Sequence, residues 1–242
     1  MAELLQTLNN QFVTAFVKDN RWRYILEGIG NTLILTFFAL ILGLVLGVLV
    51  AAVRSTWDKL GSTMKRGPLK TLLRFFNGVC KVYLAVIRGT PVMVQILIIF
   101  FIIMATSNNK MLCGIIAFGI NSGAYVAEII RGGIMSVDAG QTEAGRSLGF
   151  NYLQTMWFIV LPQAFKNILP SLANEFIVLL KETAIAGYVG VTDLTRGANI
   201  IRGTTYQSLF PLLAVALIYF IMVMFFTWIV GRLERRLRSS DN

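Results

Sequence analysis

The chain has 242 residues, 56% of them hydrophobic and 14% charged, with a net charge of +10 and a mean hydropathy of +0.69. An ordinary soluble domain carries about 25% charge, and the apolar runs here suit membrane spans, which need about 20 such residues each. The basic residues sit beside those runs, so the charge speaks for topology rather than nucleic acid; the chain has no histidine, which excludes histidine-based catalysis or metal binding.

Met1 to Glu27 mixes both signs of charge and lacks the basic start and short apolar core of a signal peptide. The first span is expected over 28–53, with Gly43 and Gly47 spaced to let another helix approach closely. The segment 54–74 carries Arg54, Lys59, Lys65, Arg66, Lys70 and Arg74 against Asp58 alone, and reads as cytoplasmic, with Gly67-Pro68 as its turn. The second span, 75–105, is interrupted by Arg88-Gly89-Thr90-Pro91. Proline bends a helix and removes a donor, and the freed groups must be satisfied by protein or cavity water. Thr106 to Met111 has one charge, Lys110, and reads as external.

The third span is expected over 112–135, with Gly119 and Gly123 as another packing pair. A polar segment, 138–165, follows on the cytoplasmic side. In it Asp138 and Gln141 suggest a capping box, and Gly149 suits the left-handed position that ends a short helix. Asn151 starts a second short helix and Pro162 is expected to disrupt its end. The fourth span is placed at 168–189, a polar external stretch with Asp193, Arg196 and Arg202 at 190–208, and the fifth span at 209–230, before the basic tail GRLERRLRSSDN. That tail reads as a topology anchor, with anionic-lipid binding as the alternative. The fold class predicted is an all-α integral membrane protein, a single domain of five transmembrane helices, N-terminus outside and C-terminus cytoplasmic.

Chemistry is sparse. No GxxxxGK[ST] loop and no G-x-S-x-G elbow occurs, so no catalytic residue is expected. Cys80 and Cys113 show neither metal spacing nor a disulfide framework. Ionisable groups at bilayer depth are costly and face a bundle interior or a wet cavity. Asn121, Tyr125 and Glu128 share one face of the third span. Ser171, Asn174, Lys181 and Glu182 mark a polar stripe on the fourth, with Glu175 beside it. The two stripes read either as a solute pathway or as groups that satisfy each other or a second subunit. Lys181 and Glu182, being adjacent, point about 100° apart and cannot line one narrow wall. Arg88 and Glu128 are expected to form a buried pair.

The polar segment carries the most specific pattern. Glu143-Ala144-Gly145-Arg146-Ser147-Leu148-Gly149, closing at Leu161-Pro162, resembles the EAA loop of ABC importer permeases. RGTPVMVQ at 88–95, NSGAYVAEIIRGGI at 121–134, NEFIVLLKETAI at 174–185 and GYVGVTDLT at 187–195 are similar to successive signatures of the polar-amino-acid branch of that family. The likeness covers about residue 30 to the C-terminus. Gly145 stands where the family usually has Ala, Ala184 where Ser is common, and the basic insertion at 59–70 is longer than usual.

The resemblance implies a type I ABC importer permease in a bacterial cytoplasmic membrane that moves a polar amino acid. It implies a second permease subunit, identical or paralogous, and two copies of an ATPase subunit that binds the ATP and Mg. It also implies an extracytoplasmic amino-acid-binding protein. ATPase docking falls to Glu143, Ala144, Gly145, Gly149, Leu161 and Pro162. Three alternatives stand beside this. Another small zwitterion or organic ion would suit the same architecture. An ion-coupled secondary transporter would show paired repeats, and none is visible. A membrane-anchored sensor or assembly factor would leave the two stripes unexplained.

Overall fold

A computed structural model describes residues 1–238; the last four residues of the basic tail lie outside the described residues. Among the described residues every regular element is a helix. In chain order these are α1 (Ala2–Phe12), α2 (Trp22–Leu60), α3 (Pro68–Gly89), α4 (Val92–Ile98), α5 (Lys110–Met135), α6 (Ala139–Ser147), α7 (Tyr152–Thr155), α8 (Leu161–Glu182), α9 (Leu194–Thr205) and α10 (Leu209–Arg238). Neither α1 nor α9 was expected.

The core is the pairing of α2 with α5. The 39 residues of α2 rise about 58 Å at 1.5 Å per residue, nearly twice the hydrocarbon core of a bilayer. The helix therefore overruns the expected 28–53 at both ends. Its buried positions include Leu35 and then Ala39, Gly43, Gly47 and Ala51, the last four a narrow line of small residues. Helices in lipid associate through close van der Waals packing, because lipid is as apolar as leucine. The fit is reciprocal. A Cβ on Gly119 would come within 2.6 Å of Leu42, one on Gly123 within 3.0 Å of Leu46, and one on Gly47 would overlap Val126. Leu35 meets Gly114 and Gly43 meets Ser122, so the two helices run parallel.

The second expected span is broken more sharply than a proline kink requires. α3 and the stretch Val92–Ile103 meet at 110°. Pro91 deletes the N–H that would reach the Ile87 carbonyl. Gln95 replaces it: its Nε2 donates to Ile87 O at 2.7 Å and to Thr90 O at 3.0 Å. Thr90 Oγ1 donates to Val86 O at 2.8 Å. Protein groups thus satisfy the freed backbone carbonyls at the break, as a buried break in a membrane demands.

α8 runs antiparallel to α5. Ile168 lies over Gly133 and Glu175 over Ser122. The boundaries differ from expectation. Pro162 does not end a helix; it sits in the first turn of α8, and helical backbone continues into it from Tyr152 through a π-helical turn at Met156–Val160. In that turn Leu161 N donates back to Met156 O. The wider ladder accommodates the missing proline donor. At its other end α8 gives way at Thr183 to a 3₁₀ turn that closes on Gly190. The stretch expected to be polar and external at 190–208 holds α9, whose Leu194, Ala198 and Ile201 pack with Ile25, Ala15 and Val215. Buried Asp193 caps α9, accepting from Thr195 N at 3.1 Å and Arg196 N at 3.0 Å.

Among the described residues three helices are long and apolar enough to cross a membrane, α2, α5 and α10, and α3 with its bent continuation makes a fourth if the pair is one span. α8 is not among them, because Lys166, Glu175, Lys181 and Glu182 interrupt its apolar run.

Candidate coupling segment and polar seam

The segment between α5 and α8 is built from its caps outward. Asp138 caps α6, accepting from Gly140 N at 2.7 Å. The expected reciprocal bond from Gln141 is not made; Gln141 Oε1 instead accepts from Gln163 Nε2 at 3.2 Å. The capping box lies one helix later, where Gln154 N donates to Asn151 Oδ1 and Asn151 N to Gln154 Oε1, both at 2.9 Å. Between the helices Gly149 has φ +86. Phe150 N reaches Gly145 O at 3.1 Å and Gly149 N reaches Arg146 O at 3.0 Å. Those two bonds are the Schellman closure, which needs a left-handed residue and favours glycine.

Gly145 is the buried residue of α6, and a Cβ there would come within 2.8 Å of Ile159 and 2.9 Å of Thr155. Glycine at this position lets α6 lie directly on the chain that returns. Glu143, Ala144 and Pro162 are exposed, and Leu161 is half-buried. Around them Leu148 is 75% exposed, Leu153 74% and Trp157 69%. A polar helix rimmed by bare large apolar side chains is an unusual surface for a monomer. Behind it lies a cavity of about 790 Å³ bounded by Lys59, Thr63, Glu143, Arg146 and Tyr152, between the end of α2 and the segment. Burial pushes the Tyr152 phenol up, and a hydrogen bond with Thr56 draws it back.

The α5 stripe faces the α3–α4 break. Asn121 is buried and its Nδ2 donates to Gln95 Oε1 at 2.9 Å, so the residue that mends the break is itself held from α5. The Arg88 guanidinium lies over the Tyr125 ring at 5.8 Å. Arg88 also reaches Glu128 at 3.8 Å, with Arg88 45% exposed, so the expected pair forms at the edge rather than in the interior. Glu128 is held more closely by Arg131, at 3.0 Å. Arg131 continues to Asp58 at 3.5 Å, Asp58 to Arg54 at 4.0 Å, and Arg54 donates to Asn77 at 2.8 Å. A line of alternating charges thus ties α2, α3 and α5 together.

The α8 stripe is different. Ser171, Asn174 and Lys181 are exposed, together with Asn167 and Tyr188 at the same helical spacing. Glu182 is half-buried, and Glu175 turns inward to accept from Ser122 Oγ at 2.9 Å. Among the described residues no hydrogen bond or ion pair joins Asn174, Lys181 or Glu182 to Asn121, Tyr125 or Glu128. The two stripes therefore do not satisfy each other. Sequence reasoning missed Gln95, Ser122 and Arg131. Signals existed for two of them: Gln95 stands four residues after Pro91, and Arg131 stands three after Glu128, within reach on one helix face.

Apolar crossing helices tied by a half-buried charged seam, with a polar helical segment carried outside them, define a membrane transport subunit. The chain belongs to the binding-protein-dependent transport system inner membrane components, whose family pattern matches residues 43–239. It is 36% identical over 221 residues to the arginine transport system permease protein ArtQ of Bacillus subtilis (strain 168), spanning 90% of this chain and 94% of that one. It is 34% identical over 219 residues to the glutamine transport system permease protein GlnP of Escherichia coli (strain K12), spanning 88% and 93%. Among solved structures, an amino acid ABC transporter crystallised with histidines superposes with a TM-score of 0.78 at 41% identity, covering 88% of this chain and 94% of that one. An inward-facing form of the MetNI methionine ABC transporter gives a TM-score of 0.75 at 17% identity, covering 91% and 99%, a likeness of fold alone.

Proposed function

We propose that the chain is the permease subunit of an ATP-driven importer for a polar amino acid, working with two ATPase subunits, a second permease subunit and an extracytoplasmic binding protein. The observation that carries this reading is the α6–α7 segment, a rigidly capped helix pair that holds Leu148, Leu153 and Trp157 bare. Such a surface suits insertion into a partner. ATP and its Mg belong to that partner, since this chain has no phosphate-cradling loop. The names borne by the arginine and glutamine permeases support a polar amino acid as cargo.

Five crossings fit best: α2, the bent α3–α4 pair, α5, α8 with its 3₁₀ extension, and α10. The parallel run of α2 with α5 and the antiparallel run of α8 support that order, and basic flanks support the N-terminus outside and C-terminus inside. The solute path runs along the exposed stripe of Asn174 and Lys181, with Glu182 beside it, and past Tyr125 and Glu128. A zwitterion needs a cation, an anion and neutral polar groups, because neither of its charges crosses lipid unpartnered. Asn121, already paired with Gln95, positions the α3–α4 break and does not touch solute.

Gly149→Val tests the reading. A β-branched residue resists φ near +86, at a cost of about 1–2 kcal/mol. The variant is expected to lose ATPase co-purification or to hydrolyse ATP without uptake. Normal uptake with normal ATPase content would count against the coupling role.

A further inference from the structure

Beyond topology, the basic residues at 66–74 have no part in the transport reading, yet the structure gives them a shape. Arg66, Lys70 and Arg74 gather with Trp57 around one cavity of about 600 Å³ at the start of α3. Lys70 Nζ donates to Met64 O at 2.9 Å and fastens the loop against the helix. Arg66 and Arg74 are exposed, and none of the three cations makes an ion pair among the described residues. Three uncompensated cations at one place repel one another, and they call for an anion that comes from outside the chain.

The neighbouring surface says what kind of anion. A shallow, open apolar groove runs along one face of α3 and shares Thr71 and Arg74 with the basic cavity. Phe75, Val79, Val82 and Val86 line it, exposed by between 51% and 64%. Its floor opens at Gly78, where an added Cβ would meet nothing within 4 Å. From Thr71 to Ile87 the groove spans about 24 Å of helix at 1.5 Å per residue, longer than one leaflet's share of a hydrocarbon core about 30 Å thick. A cationic pocket continuous with an apolar groove of acyl-chain length has the two halves of an amphiphile built into it, and the aromatic Trp57 beside the cations is typical of a membrane interface.

We propose that Arg66, Lys70 and Arg74 with the Phe75–Val86 groove of α3 form a binding site for an anionic phospholipid, headgroup on the cations and one acyl chain along the groove. The site goes beyond the import reading and requires only that α3 sits in a bilayer. Charge complementarity favours lipid over a second protein: a partner helix covering the groove would also have to bring acids to three cations.

The test uses the assembled transporter, extracted from membranes containing phosphatidylglycerol and phosphatidylethanolamine and weighed intact by native mass spectrometry. The wild-type complex is expected to retain phosphatidylglycerol selectively. Arg66→Gln/Lys70→Gln/Arg74→Gln should lower that retention about a hundredfold, since each basic residue near an anionic surface contributes roughly a fivefold factor. Gly78→Leu puts a side chain into the groove where an added Cβ meets nothing within 4 Å, and should also release the lipid while leaving the complex assembled. Equal retention in both variants, or no selectivity for the anionic lipid, overturns the site. So does a subunit-to-subunit disulfide from Val82→Cys in a background lacking Cys80 and Cys113, which would mean that a second permease covers the groove. None of these readouts measures uptake, so their failure leaves the import reading standing.

Discussion

The α2–α5 pairing and the α6–α7 segment both depend on glycine, for opposite reasons. In the pairing, Gly43, Gly47, Gly119 and Gly123 are used for what they lack: Ser122, Val126, Leu42 and Leu46 of the facing helix, in that order, crowd the space a Cβ would take. The result is a buried, closed contact. In the segment, Gly149 is used for the backbone it adopts, and nothing lies within 4 Å of its missing Cβ. The result is a fixed but open surface. Glycine spacing at four residues therefore marks a closed contact between α2 and α5, and Gly149 marks an open one.

Breaking the closed side should have the largest effect. Gly47→Leu forces a side chain into Val126, and overpacking costs typically 1–3 kcal/mol or more when backbone must move. The purified variant is expected to melt lower and to be recovered in lower yield, and it loses all partners together. An unchanged melting profile would mean that α2 and α5 can separate freely.

A smaller effect is expected at the mended break. Asn121→Leu removes the donor to Gln95, at a cost of about 1 kcal/mol, since interhelical hydrogen bonds in membranes are worth roughly 0.6 on average and up to about 1.7. Uptake should fall through stability and through maximal rate, with the half-saturating solute concentration unchanged. A shift in solute affinity or range would move Asn121 from the scaffold into the solute path.

The smallest effect is a matter of pH. Asp193, fully buried at the start of α9, has its carboxyl raised from 3.8 to about 6 by burial, against the pull of the N–H groups of Thr195 and Arg196. The native state thus holds a proton that the unfolded chain has released. Stability is greatest below the ordinary aspartate range and declines as pH rises through about 6. Asp193→Asn, which keeps one of the two acceptors of the cap and cannot titrate, should flatten that decline in thermal unfolding. An equally steep decline in the variant would assign it to another group.

These differences also explain what could be read from the sequence. Long apolar runs reveal membrane helices, and α2, α5 and α10 lie where the runs lie. The glycine pairs were legible because four-residue spacing has one geometric meaning. Gly149 was legible because few residues tolerate its φ. Three things were hidden. The π-helical turn before Pro162 has no composition signal, so proline was read as a stop. α9 is short and polar, and its helicity comes from the Asp193 cap and from packing on α2 and α10. The direction of each polar residue depends on a neighbour far away in sequence. Asn121 turns to Gln95 and Glu175 to Ser122, while Asn174 and Lys181 turn outward, and nothing within either helix distinguishes these cases.

The central claim is that the bare face of α6 is covered by the ATPase. Ser147 is exposed on that face, and Ser147→Cys in a background lacking Cys80 and Cys113 places a single thiol on it. A photoactivatable thiol-linked crosslinker at this position, in membranes competent for uptake, is expected to join the permease to the ATPase subunit in one band of summed mass. Uptake-competent membranes in which that band never forms would contradict the account.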